Sequence, residues 1–200
     1  MLRFNLAIII SMLVFAPAAY ADRYTFDTSH TKILFFVNHL GFSQSIGEFT
    51  RYDGYFTFDQ NAPEKSMVDV TLQPSGIRTS SSLLDEKLQG DEFFKSALFP
   101  DIRFVSTGIK VISANTGEVT GNVTLIGITK PVTIKVTFNK ADYHPYTQNY
   151  VAGFSAEAML KRSDFGMNAY IPNVGDEVRI LIETEGVSDD RKKAEAIKKN

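Results

Sequence analysis

Three histidines, one run of clustered charges and a complete lack of cysteine bound the chemistry open to this chain. A metal pair from His30 and His39 would need both rings on one side. Their odd separation of nine residues puts them on opposite faces of one continuous strand, so they share a site only if the chain breaks between them. No H-x-H or H-E-x-x-H spacing occurs and no thiolate is available, so no metal site is expected. His39 is in phase with Ile33, Phe35 and Val37. On an apolar face it is either a satisfied core or rim histidine, or a polar contact to the head of a ligand. His144, beside Pro145, reads as a solvated loop residue.

Nucleophilic chemistry has less support. There is no G-x-S-x-G elbow, no phosphate-cradling loop and no dinucleotide fingerprint. Asp85, Glu86, Asp91, Glu92 and Asp164 read as helix-end and loop charges, so no catalytic residue is assigned. Lys161, Arg162 and Asp164 precede Phe165-Gly166 at the end of an apolar strand. They form either a salt-bridged rim or, through Arg162, a cation that meets an anionic head group.

The elements that would carry these residues are strands. Val132 to Asn139 (VTIKVTFN) alternates strictly, with Val132, Ile134, Val136 and Phe138 on one face. Successive strand side chains point to opposite faces, which gives one dry and one wet surface. Similar runs fall at Tyr24–Phe26, Lys32–His39, Phe49–Asp59, Met67–Pro74, Ile102–Ile112, Val119–Leu125, Val151–Leu160 and Glu177–Glu185. Gly41–Gly47 reads as loop, and Phe49–Asp59 as one strand bent or bulged at Gly54. Ser82 is the expected cap of a short helix, LLDEKLQG, stopped by Gly90, with a further helical turn at Asp91–Ala97. A phase change between Phe104 and Ile109 predicts a bulge. Short connections make the sheet antiparallel, closed or sandwiched, and such sheets can enclose a ligand. Sixteen Phe and eight Tyr would make the enclosed space apolar.

The net charge of −2 offers no basic excess for nucleic acid. Arg3, an apolar run Leu6–Ala16 and Ala19-Tyr20-Ala21 read as an export signal cleaved after Ala21, with the periplasm as the expected compartment. The mature domain is expected to span 22–187. The tail 188–200 is charged and weakly helical, and reads as solvated; a transient membrane contact is its other reading.

Together these blocks resemble the YceI family of exported polyisoprenoid-binding proteins. They run from His30-Thr31 and Phe35–Gly41 through Gly47-Glu48-Phe49, Asp53–Phe56, Asp85–Leu88, Asp91–Phe94 and Phe99–Phe104. Gly121–Val132 (GNVTLIGITKPV), Arg162–Met167 and Gly175–Val178 complete the set. The sequence departs at Leu84 and Lys87, where family members often carry Arg and His, and around Ser75–Thr79. The resemblance implies an all-β, eight-stranded antiparallel lipocalin-like barrel with a short helical insert. Its pocket would hold a polyisoprenoid lipid or an isoprenoid quinone, with no obligatory cofactor. Phase and resemblance nominate Phe35, Val37, His39, Phe56, Phe58, Phe104, Leu125, Phe138 and Phe154 as pocket wall; Leu88, Phe93 and Phe94 as cover of one mouth; and Arg162 as a head-group contact. Each apolar member could equally be packed core. Two other functions stay open: an enzyme on a lipid or small apolar substrate with His39 or His30 as base, and a stress-response protein that binds a protein partner. Long rim strands permit a homodimer without requiring one.

Overall fold

The computed structural model describes residues 21–191; the segment expected as an export signal, apart from Ala21, and Lys192–Asn200 of the tail lie outside the described residues. Within the described residues the strands and the helix α1 follow in order: β1 Asp22–Phe26, β2 Lys32–His39, β3 Ser43–Phe49, β4 Tyr52–Phe58, β5 Met67–Leu72, β6 Ile77–Arg78, α1 Ser82–Gln89, β7 Ile102–Val111, β8 Thr116–Leu125, β9 Ile128–Tyr143, β10 Tyr150–Lys161 and β11 Val174–Ser188. All pairings are antiparallel. The ring β1-β4-β5-β7-β8-β9-β10-β11 closes through β1 on β11, so the molecule is an eight-stranded closed barrel.

The first three barrel strands are broken and the last five are not. β1 pairs with the end of β11, whereas β2 pairs with its beginning; residues 27–31 bridge the two. β3 and β4 are similarly separated at Thr50-Arg51, and β5 and β6 by a 3-10 turn at Pro74–Gly76. The strand at Phe49–Asp59 is therefore corrected: its bend lies at Thr50-Arg51. Gly54 sits in an unbroken register where its backbone presses on Asp69 and Val70 of β5, leaving no room for a Cβ. The segment expected as the loop Gly41–Gly47 is mostly β3, because polar Ser43–Ser45 hydrogen-bond along the edge of β2. The bulge foreseen in β7 falls between Ser106 and Gly108.

The helix is capped one residue earlier than expected. Ser81, not Ser82, holds the N-cap, its hydroxyl accepting the Leu84 N–H. Asp91–Ala97 forms successive turns rather than helix. With α1 this segment folds across one end of the barrel. Leu88, Phe93, Phe165, Met167 and Ile77 fill that end as part of the larger buried core. At the other end the strands are joined by turns and by the segment 59–66 with its 3-10 helix Pro63–Lys65. There the tail is docked at its start: Ser188 is fully buried, and Arg191 Nε donates to Asp22 at 2.7 Å.

Candidate functional site

Alternating residues of nearly every barrel strand converge on one long apolar cavity of about 320 Å³. That volume is at the small end of ligand sites, which run from about 300 to 1,000 Å³. Its wall runs from Ile102, Leu125 and Met167 near the closed end to Val111 and Phe58 near the open one. Phe56, Phe104, Phe138 and Phe154 also line it. Two of these rings lie over glycines, Phe104 over Gly121 of the adjacent strand and Phe56, across β1, over Gly186; a side chain at either glycine would occupy the ring's place.

The aromatic side chains touch one another and the cavity at once. Phe58 and Phe154 meet edge to face at 5.0 Å between centroids, Phe58 and Phe138 at 5.1 Å, and Phe138 and Phe154 at 5.5 Å. Behind them Tyr24 stacks on Phe56 at 5.0 Å. Burial of Tyr24 pushes its hydroxyl well above the ordinary tyrosine range.

Polar groups gather at the mouth. Gln60 and Ser66, from the β4–β5 turn, line the cavity with Ser113, Asn115 and Thr116 of the β7–β8 hairpin. The Asn115 carbonyl accepts the Phe138 N–H at 2.8 Å, which fixes the hairpin tip over β9. The Ser66 hydroxyl is buried and has no hydrogen-bond partner among the described residues.

Arg162 is the only charged side chain of the cavity wall among the described residues. It lies at the closed end and its donors are engaged: Nε donates to the Gly175 carbonyl at 2.8 Å, and the two terminal nitrogens to Met167 and Val174 at 2.9 Å each. Burial lowers its pKa. Nearby, Asp176 accepts the Ser163 N–H at 2.9 Å and its hydroxyl at 2.7 Å. Burial works against ionisation of Asp176, but the Ser163 bonds and the Arg162 charge outweigh it and hold the carboxyl below its usual range. Arg162 is thus not a free cation: with Ser163 and Asp176 it ties the β10–β11 connection together, while Lys161 and Asp164 are exposed.

Of the nominated residues, Phe56, Phe58, Phe94, Phe104, Leu125, Phe138, Phe154 and Arg162 line the cavity. Phe35, Val37, His39, Leu88 and Phe93 do not. Beyond the break at 27–31, β2 leaves the cavity wall after Thr31 and Ile33. Phe35 lies over Gly47 and packs on Phe49 at 5.6 Å, and Val37 joins the same core. His39 is exposed where β2 ends. Leu88 and Phe93 are core of the cap rather than its inner surface, and Phe93 stacks on Tyr170 at 6.1 Å. Lys87 and Glu92 pin the Tyr170 hydroxyl from the same segment: the lysine donates at 2.9 Å and the carboxylate accepts at 3.0 Å. Asp85 is structural as well; it accepts the Thr79 N–H at 2.6 Å and hydroxyl at 2.7 Å.

Ile109, Ile134, Val136, Ile180 and Ile182 also line the cavity, and the alternation that nominates Phe138 marks Ile134 and Val136 equally. Gln60, Ser66 and Asn115 carry no such signal, because turns have no periodicity.

A closed antiparallel barrel around a mainly apolar cavity defines a lipocalin-like class of protein. A YceI-like domain model matches residues 24–186, and the chain belongs to the YceI-like family. A UPF0312 protein of Pectobacterium carotovorum is 36% identical over 180 residues, covering 89% of this chain and 93% of the relative. The crystal structure of a Campylobacter jejuni YceI protein superposes with a TM-score of 0.70 at 27% identity, over 76% of this chain and 90% of that one. A polyisoprenoid-binding domain from Saccharophagus degradans, implicated in plant cell wall breakdown, shares the fold at 9% identity with a TM-score of 0.65, over 84% of this chain and 99% of that one.

Proposed function

We propose that this protein is a non-catalytic carrier or reservoir for an isoprenoid lipid, exported to the periplasm, with the tail in the barrel and the head at the mouth. The observation that carries the reading is the continuous apolar wall from Leu125 to Phe58, interrupted by no carboxylate and no free cation among the described residues. Each CH₂ transferred from water to such a wall is worth about 0.8 kcal/mol, so a prenyl tail needs few polar contacts to bind. The polyisoprenoid-binding domain of the same fold supports the choice of tail.

The mouth bears on the head group. Gln60, Ser66, Ser113 and Asn115 offer hydroxyls and amides, and the Ser66 hydroxyl awaits a partner. The Arg162 guanidinium is at the far end and is spent on three carbonyls. A neutral, hydrogen-bonding head such as a quinone suits this better than a phosphate. Against an enzyme stands the placement of the two candidate bases: neither His30 nor His39 lines the cavity. Native mass spectrometry of the purified protein, followed by uptake of a prenyl quinone and of a polyprenyl phosphate, tests the reading. One bound isoprenoid per chain, with the quinone preferred, is expected; a protein that purifies empty and takes up neither would end it.

A further inference from the structure

The break between β1 and β2 places a second cluster on the molecule, outside the cavity. Residues 27–31 form a turn held from several sides. The Asp27 N–H donates to the Glu185 carbonyl at 2.8 Å, and the His30 N–H to the Asp27 carbonyl at 3.2 Å. The Ser29 N–H donates to Asp27 Oδ1 at 2.9 Å, which fixes that carboxylate. Its other oxygen, Oδ2, then lies 2.9 Å from His30 Nδ1. Glu185 stands on β11 beside the turn, and one donor atom from each of Asp27, His30 and Glu185 falls within 4.8 Å of the other two. The two carboxylates are half-buried and the imidazole is exposed.

We propose that Asp27, His30 and Glu185 form a binding site for one divalent transition-metal ion, of which zinc is the natural probe. Two half-buried carboxylates side by side repel each other, and a dication relieves that repulsion at once. An imidazole nitrogen with only two carboxylates suits zinc and its borderline neighbours; calcium and magnesium take six or more oxygens. Three protein ligands and a water complete a tetrahedron. The backbone bonds already hold the turn, so little ordering remains to oppose binding. An ion there would tie the β1–β2 break to β11, directly outside the stretch of wall that Phe26 and Thr31 give to the cavity.

Isothermal titration of the untagged protein with zinc in a non-chelating buffer tests this. One equivalent is expected to bind. His30→Ala and Glu185→Gln should each weaken it by about tenfold or more, the scale on which metal sites respond to loss of a supporting group. His144→Ala should leave it unchanged. Thermal melts of the metal-free variants check that each one is folded. No saturable binding to the wild-type protein, or binding that survives either the His30 or the Glu185 substitution, would overturn the site. The outcome is independent of lipid uptake.

Discussion

The two ends of the barrel use the same residue types to opposite effect. At the closed end Phe93 packs in one buried core with Leu88, Phe165 and Met167. Toward the mouth Phe58, Phe138 and Phe154 are just as mutually packed, yet one side of each ring faces the cavity. Phase along a strand is the same in both places. What differs is the chain beyond the strand ends. α1 and the turns up to Pro100 fold across one end, whereas at the other the segment 59–66 and the hairpin tip 112–115 border the cavity. A phenylalanine becomes core or cavity wall according to what lies over it.

Truncation at each end should separate the two roles. The largest effect is expected for Phe93→Ala, which opens a void in a filled core and should cost about 3–5 kcal/mol in denaturant unfolding. Lipid uptake by the folded fraction should change little. Arg162→Met leaves the Gly175, Met167 and Val174 carbonyls without their buried donor. A loss of about 3 kcal/mol is expected, on the scale of breaking a buried charged network. Preference for quinone over phosphate should be unaltered; a shift in that preference would mean that Arg162 meets the head after all.

Phe154→Ala sharpens the contrast from the other side. Its ring borders space that already exists, so the stability loss should be about 2 kcal/mol or less, while retention of a prenyl lipid falls. Equal stability losses at Phe93 and Phe154 would erase the distinction between the ends. The smallest effect concerns acid. Asp176 is held below its usual range, so its contribution is complete above the ordinary carboxylate range and fades as pH falls through the lower folded value. In an acid titration followed by circular dichroism, Asp176→Asn should therefore be less stable than wild type near neutrality, and the two should converge at low pH.

The same contrast explains what the sequence discloses. The intact strands β8 to β11 are legible because Val119, Val132–Phe138 and Val178–Ile182 alternate without interruption. The broken half is not. Ser43–Phe49 (SQSIGEF) has no strong strand character of its own and is a strand because β2 supplies its ladder, a case of tertiary pairing over propensity. Period two nominates Phe56, Phe104 and Phe138, which line the cavity, and equally Phe35 and Val37, which keep the phase of Ile33 but lie where the interior is filled by core, and His39, which is exposed at the strand end. The break between β1 and β2 also unites His30 with Asp27 and Glu185, a meeting across more than 150 residues that no local spacing records. Arg162 is visible as a charge, but its fate depends on carbonyls brought by the β10–β11 connection.

A structure of the protein loaded with a prenyl quinone tests the central claim most directly. The tail should lie among Phe58, Phe138 and Phe154, with a head oxygen within hydrogen-bond reach of the Ser66 hydroxyl. A loaded protein whose lipid lies outside the barrel, or whose head is seated on Arg162 at the closed end, would contradict it.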